Sequence, residues 1–168
     1  MDADALRALQ APLKDSYRNE AGKARLTLRA QGHVDEAKIA CKVETGRAIA
    51  EAGLHPLTGG SGAELCSGDM LLEALVACAG VTLKAVATAL AIPIGNARVL
   101  AEGDLDFRGT LGVDRDARVG FEAIRLTFEI DGEATPEQRA TLLKLTERYC
   151  VVLQTLKVQP TLSAAIAP

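Results

Sequence analysis

The stretch from Met70 to Ala91, "MLLEALVACAGVTLKAVATALA", carries only two charges, Glu73 and Lys84, in 22 residues. Its length and its apolar positions on every side predict a helix from Gly68 to about Leu90, ending before Pro93, whose ring cannot continue it. Ser67 is placed to cap the first turn, with Asp69 and Glu73 near the positive end of the helix dipole. A helix apolar all round must be covered on most sides, so the rest of the chain has to build a core around it. The run approaches membrane-spanning length, but the two charges interrupt it and strand patterns surround it. It is therefore expected to be the buried helix of a soluble protein, with no membrane association.

The flanking segments alternate with period two, as half-buried strands do. In "ARLTLRAQ" Ala24, Leu26, Leu28 and Ala30 alternate with polar residues, and in "AKIACKVET" Ile39, Cys41 and Val43 share a face. "GHVDE" reads as their connection and "GRAIAEAG" as a short third strand. The Pro/Gly/Ser-rich residues 55–68 form a loop leading to the long helix. Beyond that helix, Val99, Ala101, Leu105 and Phe107 alternate with Glu102, Asp104, Asp106 and Arg108. Ile124, Leu126, Phe128 and Ile130 alternate with Arg125, Thr127, Glu129 and Asp131, which predicts a hairpin through "LGVDRDARVG". Thr135, Pro136 and Gln138 make a capping box with proline at the first helical position, starting a second helical region. The order is roughly βββ, α, ββ, α. This is an α+β plan in one domain, 1–168, with residues 1–20 as an N-terminal helical arm ended near Pro12.

A net charge of −3, no Lys/Arg cluster, no Trp and 3% aromatic residues leave nucleic acid little to bind. The acidic start "MDADALRALQAPLKD" is not a secretory leader, so a cytoplasmic address is the default. In that compartment the four cysteines are more readily free thiols, metal ligands or a redox pair than structural disulfides. No CxxC occurs and neither His33 nor His55 stands at ligand spacing to a cysteine, so no metal is expected. No phosphate-binding loop, dinucleotide fingerprint, GxSxG or HExxH is present, and no cofactor is implied. Thiol chemistry remains. Cys41 reads as core and Cys66 as a loop thiol. Cys78 and Cys150 fall on the two helical regions this plan packs together. A thiol in an apolar helix has its pKa raised unless positive charge or a helix N-terminus opposes burial. Arg25, Arg29 and Arg148 are the candidate cations, and Asp69 or Glu73 could hold one of them. A new helix start after Tyr149 would act on Cys150. Read from the residues alone, a packing role is the favoured reading for both cysteines.

"SGDMLLEALVACAGVTLKAVATAL", followed some seventy residues later by "ERYCVVLQTLKV", resembles the OsmC/Ohr family, closest to its YhfA-like branch. The likeness runs from about residue 24 to the chain end. It implies antiparallel sheets around a long buried central helix, an intertwined homodimer, and thiol-dependent reduction of organic or lipid hydroperoxides in oxidative-stress defence. It also implies that Cys78 attacks the peroxide and that Cys150 resolves the sulfenic acid to a disulfide, later reduced by a dithiol such as a lipoylated protein. An arginine from the N-terminal sheet, for which Arg29 is preferred, and an acid near the helix start, Asp69 or Glu73, would complete the network. The sequence departs from the peroxidase branches in having "SGDM" and "CVV" where those carry Pro-Glu and Cys-Pro. Two other readings stand beside it: a non-catalytic module binding an apolar small molecule with structural cysteines, and a Cys78 thioesterase, for which no histidine is placed as base.

Overall fold

In the computed structural model of the chain, which describes residues 2–20, 31–34, 40–44, 49–112 and 114–167, the N-terminal segment forms one helix, α1 (Ala3–Asn19). Asp2 Oδ1 accepts from the N–H of Ala5 at 2.8 Å, satisfying one of the helix's free amide donors. The helix does not end near Pro12 but runs through it. The ring leaves the Ala8 carbonyl without its usual amide donor, yet the helix resumes on the other side.

Three strands follow, β1 (Gln31–Val34), β2 (Ala40–Glu44) and β3 (Ile49–Gly53). β1 pairs antiparallel with β2, Gln31 opposite Glu44 and Val34 opposite Cys41, and β2 pairs antiparallel with β3, Ala40 opposite Gly53. The second and third strands thus form where alternation predicted them. The first differs: Gly32–Val34, read as a connection, are strand, and of "ARLTLRAQ" only Gln31 lies among the described residues. A short 3₁₀ turn (Pro56–Thr58) precedes β4 (Leu65–Cys66), which joins the sheet parallel to β3 rather than antiparallel.

The central helix α2 spans Ser67–Ala89. It begins at Ser67 itself, so that residue lies in the first turn instead of preceding it. Its C-terminus closes without glycine. The N–H of Ile92 donates to the Ala87 carbonyl at 2.9 Å and that of Ala91 to the Thr88 carbonyl at 3.1 Å, with Ala91 at φ +51°. This is a Schellman motif with alanine in the left-handed position. Only one stripe of α2 is buried, namely Leu75, Ala79, Leu83 and Ala87 at four-residue spacing. Val81 is 73% exposed and Leu71 38%. Among the described residues, the expected cover on most sides is therefore absent. By length and composition α2 is apolar enough to cross a membrane, with a mean hydropathy of 1.8.

β5 (Ala97–Leu105) and β6 (Phe121–Ile130) form a two-stranded ribbon. Its strands run antiparallel, since the N–H of Asp131 donates to Asn96 O and that of Gly95 to Asp131 O, both at 2.9 Å. The predicted alternation holds from Ala101 to Leu105 and from Ile124 to Ile130, whereas Val99, Leu100 and Ala101 are all half-buried. Phe107, read as strand, instead opens a one-turn helix, α3 (Phe107–Thr110), because Asp106 accepts from the N–H of Arg108 and turns the chain. Gly103 lies under the ring of Phe121, where a Cβ would come within 2.3 Å of the ring edge. Arg125 pairs with Asp104 across the ribbon.

The second helical region is two helices, α4 (Pro136–Tyr149) and α5 (Val151–Lys157). The capping box forms as predicted: Thr135 Oγ1 accepts from the N–H of Gln138 and Gln138 Oε1 accepts from that of Thr135. Arg139 ties the preceding turn by donating to the carbonyls of Ile130, Gly132 and Ala134.

The described chain divides into two compact units. One comprises Met1–Arg7, Ala74–Val99 and Phe128–Pro168; its core joins Leu83, Ala87, Ile92, Ala134 and Leu142, with Phe128 and Ile130 packed against them. The other comprises Ala8–Glu73 and Leu100–Thr127 and holds the four-stranded sheet.

Candidate functional site

Cys78 and Cys150 both belong to the first unit, and their side chains meet. Cys78 is half-buried at mid-helix, whereas Cys150 is wholly buried; both are free thiols. Cys150 sits at the joint between α4 and α5, with extended backbone at φ −71°, ψ 107°. Its own amide donates to Thr146 O and its carbonyl accepts from the N–H of Gln154, both at 2.9 Å. One helix thus stops and the next begins on a single residue. Two contacts hold the joint: Gln154 Nε2 donates to the Glu147 carbonyl at 2.6 Å, and Lys157 lies 3.5 Å from the Glu147 carboxylate.

The joint has an electrostatic consequence. The first amides of a helix have no partner within it and carry the positive end of its dipole. Burial alone pushes the Cys78 thiol up, but the N–H of Val152, the Cys150 thiol, the N–H of Val151 and the Thr82 hydroxyl outweigh it and hold its pKa below the ordinary cysteine value. For Cys150 burial dominates. The Leu153 and Val152 amides oppose it, but the neighbouring Cys78 adds to it, so its pKa is raised. The two thiols titrate as a pair, Cys78 giving up its proton first. This is the division a nucleophile and a reserve thiol require.

Thr146 lies on the buried stripe of α4 with Leu142 and leads into Cys150. Among the described residues its Oγ1 has no hydrogen-bond partner.

The other expected residues are placed differently. Arg29 and Arg25 lie outside the described residues. Arg148 is exposed and stacks over the Tyr149 ring at 5.5 Å, so the positive charge predicted for Cys78 comes, among the described residues, from backbone amides. Asp69 and Glu73 are exposed on the first turns of α2. Among the described residues neither carboxylate forms an ion pair, and no group of three or more His, Cys, Asp or Glu side chains gathers as a metal site.

Comparison with known proteins agrees with this architecture. The family model "OsmC-like protein" matches residues 60–164. No curated protein matches the chain. Among solved structures, an OsmC-like protein from Mycoplasma pneumoniae is 17% identical with a TM-score of 0.65, covering 79% of this chain and 88% of its own. The organic hydroperoxide resistance protein OsmC of Legionella pneumophila is 16% identical at 0.62, covering 79% and 90%. An organic hydroperoxide resistance protein from Elizabethkingia anophelis is 18% identical at 0.63, covering 80% and 91%. With the family model matching residues 60–164, well over half of the chain, and the fold shared with these neighbours, the chain belongs to the OsmC-like protein family.

Proposed function

We propose that the protein is a two-cysteine reductase of organic hydroperoxides. The observation that carries this reading is the Cys78–Cys150 pair, in which the more accessible thiol has the lowered pKa and the buried one the raised pKa. The Cys78 thiolate attacks the peroxide O–O bond, forming Cys78 sulfenic acid and releasing an alkoxide that takes a proton to leave as the alcohol. That step removes the negative charge that kept Cys150 protonated, so Cys150 loses its proton next. Its thiolate displaces the sulfenic hydroxyl, which leaves as water with that proton, and the disulfide forms. A dithiol, for instance on a lipoylated protein, returns both thiols and is itself oxidised to a disulfide.

The apolar helix around Cys78 favours an alkyl or lipid hydroperoxide over hydrogen peroxide, each buried methylene contributing about 0.8 kcal/mol. Names of the neighbours from Legionella and Elizabethkingia point to the same substrate class. The exposed apolar side of α2, with Val81 and Leu71, supports a homodimer in which a second copy covers it. Arg29, with Asp69 or Glu73, is the proposed activating network, added to the amides of α5.

The test is to treat the reduced protein with equimolar cumene hydroperoxide and map its peptides without reduction. A rapid Cys78–Cys150 disulfide is expected. If both thiols stay reduced, the reading fails and an apolar-ligand module takes its place.

A further inference from the structure

Thr82 lies one turn beyond Cys78 on α2 and is half-buried. Its Oγ1 donates to the Cys78 carbonyl at 2.7 Å. Helical side chains lean toward the N-terminus and cover the preceding turn, so the Thr82 side chain overlies Cys78. The same hydroxyl is also within hydrogen-bonding reach of the Cys78 sulfur. A hydroxyl has one proton, so it serves the carbonyl or the sulfur but not both at once.

Which acceptor wins depends on the charge of the sulfur. Inside α2 the Cys78 carbonyl already has the amide of Thr82 as its regular helical donor, so the hydroxyl bond to it is a second one and dispensable. A neutral thiol is a weak acceptor and leaves the hydroxyl on the carbonyl. A thiolate accepts a charge-assisted bond, roughly twice as strong as a neutral one. Turning the O–H about the Cβ–Oγ1 bond makes the exchange without changing the side-chain rotamer or breaking the helix.

We infer that Thr82 is a positioning residue for the Cys78 nucleophile, its hydroxyl resting on the Cys78 carbonyl while the thiol is protonated and turning to the sulfur when the thiolate forms. The hydroxyl keeps its proton throughout. It steadies the negative charge and fixes a lone pair of the sulfur, leaving the others for an incoming oxygen. When the sulfur becomes sulfenic acid the charge is gone and the hydroxyl returns to the carbonyl. This inference rests on the reading of Cys78 as nucleophile.

The test compares Thr82→Val and Thr82→Ala, which lack the hydroxyl, with Thr82→Ser, which keeps it. The reduced proteins are alkylated with iodoacetamide across a pH series and Cys78 is followed by peptide mass spectrometry. The Val and Ala variants should move the midpoint of Cys78 alkylation upward by about one pKa unit, a roughly tenfold loss of thiolate below it. The Ser variant should stay near wild type. Superimposable profiles for all four proteins, or equal shifts in Ser and Val, would overturn the inference. Alkylation needs no peroxide, so the two readings separate. A shifted profile in a protein whose wild type forms no disulfide with cumene hydroperoxide upholds the hydroxyl's role and removes only the peroxide substrate.

Discussion

Ala91 is the one described non-glycine residue at positive φ, +51°, and it closes α2 in a position where glycine is usual. The left-handed conformation costs a residue with a Cβ roughly 1–2 kcal/mol. Ala91→Gly removes that strain and retains both closing bonds, from the amides of Ala91 and Ile92, because neither uses the side chain. Against this stands the greater freedom of glycine in the unfolded chain, about 0.5–1 kcal/mol. The balance is a gain of about 0.5–1 kcal/mol, which for a domain of this size raises Tm by about 1–4 °C. Ala85→Gly, in the regular part of the same helix, is the control, and there the change should cost about 1 kcal/mol. Scanning calorimetry at one protein concentration, with urea titration alongside, measures both. Two alanines, one within the helix and one just past its end, should thus respond with opposite signs. An Ala91→Gly protein melting at or below the wild-type temperature refutes the strain argument.

Cys150→Ala removes one of the donors that favour the Cys78 thiolate. Because the fold lowers the pKa of Cys78 and raises that of Cys150, alkylation of wild-type Cys78 should set in at lower pH than that of an ordinary cysteine and alkylation of Cys150 at higher pH. In Cys150→Ala the Cys78 midpoint should move up by as much as about one unit, and an unchanged or lower midpoint contradicts the pairing. Thr146→Val replaces a wholly buried hydroxyl that has no partner among the described residues. Urea titration should show a gain of about 1 kcal/mol from the desolvation no longer incurred, whereas a loss of that size would reveal a bonded hydroxyl.

Local patterns carried much of the fold. Alternation from Ala101 to Leu105 and from Ile124 to Ile130 requires only that one face of a ribbon be covered, and it survives there. The capping box at Thr135 is a contact among neighbours in sequence and forms as read. Where a local cue met a competing one, the reading failed. Pro12 looked like a stop, but the turns on either side propagate past it. Asp106 turned the chain before Phe107 could extend the strand.

The cysteine pair shows where that limit falls. The residue types, one thiol on a long apolar helix and another after Tyr149, were visible in the sequence, together with the need for something positive to oppose burial. The break between α4 and α5 was visible only as a candidate new helix start after Tyr149 and was not established, because "YCVV" holds no glycine or proline and its two valines give no stop signal. That break is held by Gln154 and Lys157 reaching back to Glu147, and it points the Val151 and Val152 amides at a thiol more than seventy positions upstream. Sequence by itself determined which atoms can serve as thiol nucleophiles here, the sulfurs of its four cysteines. Tertiary structure decided which thiol ionises first, because that depends on which sulfur lies within hydrogen-bonding reach of unpaired amides, and reach is set by the fold.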